Sequence, residues 1–181
     1  MESRVCAGEE GAETPSSQSM RVLIAGVGYR FMRDLSVGPV LIPALESEDW
    51  PAGVQILDLH FGPVHMLHWL EQEGPFDRIV FVGAVVRGRA AGEVHAYQWH
   101  RALPDADQIQ ERVGEGVAGV LDLDSLLVVG EYFQALPADV VVVEVEPEDT
   151  GWGDGFSPTI AAALPEVMQA IRLAVWEKTN A

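Results

Sequence analysis

The sequence predicts an α/β protein, a three-layer α/β/α sandwich around a five-stranded, mainly parallel, twisted sheet. Short and almost wholly apolar runs recur along the chain, as is typical of strands buried on both faces of a parallel sheet. Amphipathic segments of helical length lie between these runs, and strands that alternate with helices form a sheet covered on both faces. With 181 residues, the chain is long enough to bury such a core without disulfides.

Five strands are expected, most of them from the apolar runs. In chain order they span residues 21–26, 54–59, 78–86, 93–99 and 140–145. The run 93–99 alternates polar and apolar residues, so we expect one face of this strand to be more exposed to water than the faces of the others.

Four helices are expected, at residues 36–47, 62–73, 117–136 and 157–178. Pro43 is expected to distort or delay the first helix, because an interior proline removes a hydrogen bond of the helix. Ser157 and Pro158 form the cap and first-turn pattern of the last helix, in which Pro165 predicts a kink.

Residues 1–19 are predicted to form a disordered acidic tail, and residues 20–181 a single folded domain. The tail contains four acids, one arginine and no apolar core, which is the opposite of a secretory signal peptide. The chain also has no apolar run of the length that a membrane span needs. A cytoplasmic location is therefore expected.

The charge balance excludes several classes of partner. The chain has 11 Lys and Arg residues against 28 Asp and Glu residues, a net charge of −17. Such a field repels polyphosphate, so binding to nucleic acid or to an anionic membrane is not expected. The single cysteine, Cys6, excludes a disulfide within the chain. We expect a monomer.

The loop after the first predicted strand begins with Gly26-Val27-Gly28, which suggests a dinucleotide-binding turn. Such a turn needs a third small residue where this chain has Phe31, because the helix must pack closely on the strand. Binding of NAD is therefore not expected. In parallel α/β sheets, however, ligands bind at the carboxyl ends of the strands, so this loop and its neighbours remain the candidate site.

The same loop, together with four later elements, resembles the hydrogenase maturation proteases, the endopeptidases that trim the C-terminus of the nickel–iron hydrogenase large subunit. Gly26, Gly28, Asp34 and Gly38 fall in register with the opening motif of that family. The later elements are Leu57-Asp58, Val80-Phe81-Val82-Gly83-Ala84, Gly92-Glu93-Val94 and Phe156-Ser157-Pro158 with Pro165. The resemblance spans residues 21–177. It implies an α/β/α sandwich on a five-stranded sheet and C-terminal processing of the large-subunit precursor.

The resemblance also implies a divalent metal, held by an acid of the opening motif, an Asp at the end of the third strand and a His at the start of the next helix. This chain has Leu35 and Gly83 at the first two positions and no histidine between Arg101 and Ala181. Leu and Gly have no side-chain donor atoms, so no metal is expected at the family positions. Tyr29 also replaces a family Asn. A non-catalytic relative that binds a hydrogenase precursor or a maturation factor is therefore the alternative to an endopeptidase.

Three histidines are the candidate ligands for a relocated metal site. His65 and His68 are three residues apart on a predicted helix and share one face, and His60 follows Asp58 at the end of a strand. The competing interpretation places His65 and His68 on the polar face of their helix. Nickel or zinc would be the cofactor of such a site, and without it no cofactor is expected.

Four arginines fall in the loops at the carboxyl edge of the predicted sheet: Arg30, Arg33, Arg87 and Arg89. Guanidinium groups bind carboxylate or phosphate in a bidentate manner. One hypothesis is a basic crevice that binds an acidic group of the substrate or partner. The alternative is that these arginines pair with nearby acids, such as Asp34 and Glu93, on a solvated rim.

Trp152 lies in an acidic, glycine-rich segment, residues 144–156. Because Trp is enriched at binding hot spots, it is a candidate residue for substrate binding. The alternative is a flexible connector with Trp152 packed on the edge of the sandwich.

Asp34 and Asp58 are the candidate catalytic residues, because both follow strands that are expected to be neighbours. Two close carboxylates can share a proton and act as acid and base. Asp58 would equally suit a structural role, ending its strand by accepting hydrogen bonds from the turn.

Overall fold

A computed structural model describes residues 19–117 and 122–176. Nearly all of the predicted tail lies outside the described residues, so its disorder and the division at residue 20 remain predictions. The described residues contain one sheet, with strand order β2-β1-β3-β5-β4. Its strands are β1 (Val22–Val27), β2 (Val54–Leu59), β3 (Arg78–Ala84), β4 (Val94–Gln98) and β5 (Asp139–Val145).

Strands β1, β2, β3 and β5 are parallel, and β4 pairs with β5 in the antiparallel direction. This confirms the predicted five-stranded, mainly parallel sheet. A short 3-10 helix, Arg33–Ser36, precedes the first α-helix. The α-helices are α1 (Val37–Glu46), α2 (Pro63–Glu73), α3 (Ala106–Val117), α4 (Leu123–Tyr132) and α5 (Pro158–Trp176).

The sheet separates two apolar cores, which confirms the three-layer sandwich. Alternate residues of β1 point to opposite faces, so Ile24 packs with α1 and α5 while Leu23 packs with α2 and α4. Both side chains are fully buried, and burial of each stabilises the fold by about 1.5–3 kcal/mol. The α3 helix lies outside this second layer, against α4 and α2.

The predicted helix over residues 117–136 is wrong in extent, and α3 was not predicted at all. In the structure α4 begins at Leu123, and residues 118–121 lie outside the described part of the chain. Ile109, Val113 and Val117 recur at helical spacing in α3, but most of its other residues are polar and two are glycines. A capping signal was present, however: the Asp105 carboxylate accepts a hydrogen bond from the Gln108 N–H at 2.9 Å.

Pro43 does not delay α1, contrary to the expectation. The helix begins at Val37 and continues through Pro43, whose ring lies on the exposed face and costs one helical hydrogen bond there. The predicted cap of α5 is confirmed, since the Ser157 hydroxyl accepts a hydrogen bond from the Ile160 N–H at 3.2 Å. Of the described helices, including the 19-residue α5, none has both the length and the apolar character of a membrane span.

Candidate functional site

The loops that follow the four parallel strands meet at one edge of the sheet, which we call the carboxyl edge. The central strands β1, β3 and β5 end side by side there: Gly26 lies opposite Val82, and Ala84 lies opposite Val145. Ligands of parallel α/β proteins bind at this edge, so it is the candidate functional site.

One glycine in β1 and one in the first turn of α1 allow this helix to pack directly on the strand. A Cβ atom at Gly26 would lie 2.5 Å from the carbonyl oxygen of Gly38, and one at Gly38 would lie 2.3 Å from the carbonyl oxygen of Val27. Neither distance is compatible with a side chain. The Gly-x-Gly motif therefore has a packing role in this chain.

Asp34 is fully buried and ties the loop after β1 to the loop after β5. One carboxylate oxygen accepts hydrogen bonds from the N–H groups of Glu148 (3.0 Å) and Asp149 (2.7 Å), and the other accepts from the N–H of Ser157 (2.7 Å). Burial alone would raise the pKa of Asp34, but the N–H groups of Asp149, Ser157 and Glu148 and the Ser157 hydroxyl hold this pKa below its ordinary value. Asp34 is thus ionised, and its role is to hold the two loops together.

Asp58 lies at the end of β2 with Arg30 and His60. Arg30 forms an ion pair with one carboxylate oxygen, and the other accepts a hydrogen bond from the His60 N–H at 3.1 Å. The His60 Nδ1 atom lies 3.0 Å from that second oxygen. This approach is not a hydrogen bond, because the Nδ1 atom of His60 is buried without a hydrogen-bond partner among the described residues. Asp34 and Asp58 are both described, and no hydrogen bond joins them, so the structure assigns them to separate clusters.

The three candidate histidines are not brought together as metal ligands. The ring of Phe61 lies between two of them, with centroid distances of 3.7 Å to His60 and 4.6 Å to His65. His68 is exposed on α2. Across residues 19–117 and 122–176, no group of three His, Cys, Asp or Glu side chains is arranged to hold a metal ion.

Arg87 and Arg89 converge on Glu144, which is 1% exposed at the end of β5. Arg87 also forms two hydrogen bonds of 2.8 Å with Asp124 at the start of α4. Burial works to raise the pKa of Glu144, but the two guanidinium groups outweigh it and lower this pKa. The hydrogen bonds that Arg87 donates to Asp124 and Glu144 in turn raise the pKa of Arg87.

All four candidate arginines therefore pair with carboxylates of the same chain. Arg33 faces Asp149, with 3.2 Å between Nε and Oδ2, and Arg30 faces Asp58. Their partners are Asp58, Asp149, Asp124 and Glu144, each in a different loop, strand or helix, rather than the Asp34 and Glu93 named from the sequence. An acidic ligand at a basic crevice would have to displace these carboxylates first.

Leu35 and Gly83, which the sequence resemblance aligns with metal ligands of the proteases, line a pocket of about 190 Å³ at the carboxyl edge. Most of its wall is apolar. Asp122 is the one carboxylate that lines it within the described chain, and as the cap of α4 it accepts hydrogen bonds from the N–H (2.8 Å) and the hydroxyl (2.6 Å) of Ser125. These residues do not fit a divalent metal, which needs several oxygen or nitrogen ligands.

Trp152 is the most exposed large apolar residue of the described chain, at 79%. Its neighbour Gly153 forms a bridge with Met32, in which the Gly153 N–H donates to the carbonyl of Phe31 (2.9 Å) and the Arg33 N–H donates to the carbonyl of Gly153 (3.1 Å). The loop is therefore held by backbone hydrogen bonds, and Trp152 projects from it rather than packing on the sandwich.

These observations define the class of the protein. It is a small α/β protein with four parallel strands, and hydrogen bonds and ion pairs order the loops at its carboxyl edge. No family model matches the sequence, and no curated protein matches it either. Solved structures do: the fold is that of the hydrogenase maturation peptidases.

Three of these structures illustrate the match. The HycI hydrogenase maturation protease of Thermococcus kodakarensis KOD1 is 22% identical, with a TM-score of 0.64 over 89% of this chain and 96% of that chain. The E. coli hydrogenase maturating endopeptidase HybD is 24% identical, with a TM-score of 0.59 over 84% and 93%. A hydrogenase 2 maturation peptidase from a Thaumarchaeota archaeon is 20% identical, with a TM-score of 0.59 over 87% and 99%.

Proposed function

We propose that this protein acts on the large-subunit precursor of a nickel–iron hydrogenase during its maturation, at the C-terminal segment that maturation removes. The observation that supports this proposal is the fold match, which spans nearly the full length of this chain and of each hydrogenase maturation peptidase compared with it. The register of Gly26, Gly28, Asp34 and Gly38 with the family's opening motif points to the same function.

Cleavage of the precursor by this chain would have to proceed without a metal at the family positions. The groups at the carboxyl edge suited to proton transfer are Asp58 and His60, whose carboxylate oxygen and imidazole Nδ1 lie 3.0 Å apart. Arg30 pairs with the Asp58 carboxylate and holds it in place.

A second candidate function is binding of the precursor, or of a maturation factor, without cleavage. The pocket lined by Leu35 and Gly83 favours this candidate. These two residues have no side-chain oxygen or nitrogen atoms, which a metal site of the family would need as ligands. An apolar pocket suits an apolar side chain of a bound peptide.

Purified precursor that retains its C-terminal extension distinguishes the two candidates. The precursor is mixed with this protein, with and without a chelator, and its mass and its binding are followed together. A metal-independent endopeptidase is established if a truncated product also forms in the presence of the chelator. That product should be lost with the Asp58→Asn variant and kept with the exposed control Asp49→Asn. A stable complex of unchanged mass establishes the binding role. Failure to form either a product or a complex would reject the maturation function.

We also propose that the protein is a monomer in the cytoplasm. A net charge of −17 opposes self-association, and an acidic chain with one cysteine suits a reducing compartment. Light scattering on the purified protein tests the monomer, and fractionation of cells tests the location.

A further inference from the structure

Two exposed aromatic residues lie on neighbouring loop segments at the carboxyl edge. Phe31 is 63% exposed and Trp152 is 79% exposed. The backbone bridge at Met32 and Gly153 places them on neighbouring parallel segments, which in such a pairing lie about 5 Å apart. We call Phe31 and Trp152 the aromatic surface.

The conformation that presents Phe31 to water is strained. Its φ is 65°, and that of Arg33 is 37°, both in the left-handed region that costs a side chain about 1–2 kcal/mol. The bridge to Gly153 and the hydrogen bonds of Asp34 hold this loop in place. Phe31 belongs to neither apolar core, so packing does not account for its position.

The charge around the aromatic surface is negative. Arg30 and Arg33 are paired with Asp58 and Asp149, as described above. In the same loop as Trp152, the exposed side chains of Glu148 and Asp154 form no hydrogen bond or ion pair with the rest of the described chain. Over the carboxyl edge as a whole, ten carboxylates face four arginines (residues 28–36, 58–62, 84–94, 122–124 and 144–156).

We propose that the aromatic surface binds a cationic peptide segment in which lysine or arginine residues alternate with apolar ones. An exposed indole ring attracts a cation to its face, and the free carboxylates in the same loop as Trp152 supply ion pairs for the basic side chains. Phe31 offers apolar area to the neighbouring residue of the segment. An acidic segment would meet repulsion instead. The inference extends the proposed function to the chemistry of the partner, and it does not require that the partner be a hydrogenase subunit.

Synthetic peptides test the proposal without a hydrogenase. Calorimetry compares three peptides of equal length: basic with apolar residues, acidic with the same apolar residues, and basic with serine instead. We expect the first to bind about tenfold or more tightly than the other two, and its affinity to fall as salt is added.

Matched variants locate the binding. Trp152→Ser should weaken the basic–apolar peptide about tenfold, and Phe31→Asn should also weaken it while tolerating the left-handed backbone. The control is Trp176→Ser: Trp176 is 62% exposed, and the end of α5 lies at the opposite edge, where Ala174 accepts a hydrogen bond from Arg78 at the start of β3. Circular dichroism confirms that each variant is folded.

A second pair of substitutions tests the charge separately from the rings. Glu148→Gln with Asp154→Asn should reduce the preference for the basic peptide over the acidic one. Equal affinity for both peptides in the native protein, or Trp152→Ser binding like Trp176→Ser, would overturn the proposal. If the peptide preference holds but the hydrogenase precursor neither binds nor is cleaved, the surface stands and the maturation function fails.

Discussion

Replacement of Asp34 by alanine should destabilise the protein more than any other single change at the carboxyl edge. The carboxylate accepts three backbone hydrogen bonds in a fully buried position, and each bond to a charged acceptor contributes about 1.5–3 kcal/mol. Because the three bonds share one acceptor group, their contributions do not add fully. We expect Asp34→Ala to lower the free energy of unfolding by about 3–5 kcal/mol, and Asp34→Asn by about 1–3 kcal/mol.

Urea unfolding followed by circular dichroism measures this loss. The matched control is Asp154→Ala, an exposed acid of the loop that Asp34 anchors, which should change the free energy of unfolding by less than about 0.5 kcal/mol. If Asp34→Ala is no less stable than this control, the three hydrogen bonds do not hold the edge together, and the structural role of Asp34 is refuted.

The pH dependence supplies an independent check on Asp34. Its pKa is lowered in the folded protein, so its contribution to stability is complete above the unfolded pKa of about 3.9 and is lost as the pH falls through the lower folded value. The native protein should therefore lose stability in acid more steeply than Asp34→Asn does. Parallel acid unfolding curves for the two proteins would contradict the lowered pKa.

Two further predictions concern the buried ion pairs and the glycines. Glu144→Gln removes the buried charge that faces Arg87 and Arg89. Because both arginines remain partly exposed, we expect the free energy of unfolding, measured by thermal unfolding, to fall by about 2–3 kcal/mol. Glu148→Gln is the control and should leave it unchanged. A loss as small as that of the control would show that the network is solvated. Gly26→Ala should cost about 3 kcal/mol, because its Cβ would meet the Gly38 carbonyl at 2.5 Å, whereas Gly114→Ala on α3 has free space and should stabilise by about 0.5–1 kcal/mol. The same sign of change for both glycines would contradict the packing described for α1.

The sheet was predictable because its strands are buried on both faces. A run such as residues 140–145 has no polar face to confuse its pattern, and the strands β2 and β5 appear within one residue of the predicted bounds. Helix α3 was missed because polar residues and two glycines dominate it, even though Ile109, Val113 and Val117 recur at helical spacing. Its cap at Asp105 was a second local signal.

The candidate site was only partly predictable. The residues that directly follow each predicted strand were expected at the carboxyl edge, and Asp58 and His60, at the end of one strand, were therefore expected near each other. Their partners could not be expected in the same way, because Arg30, Arg33 and Asp34 meet carboxylates or N–H groups far away in the sequence. Pairings between distant loops depend on the fold as a whole, and no local pattern encodes them.

The hydrogen bonds of Asp34 join residues that are 114 to 123 positions apart. Contacts over such separations form late, because the chain between them must be ordered before they contribute. On the ribosome, the segment around Phe31 emerges long before its bridging partner Gly153 is made. The carboxyl edge is therefore completed only when β5 and the start of α5 have been synthesised, and incomplete chains lack the aromatic surface. A protein arranged in this way cannot engage a partner through this edge before its own synthesis is nearly finished.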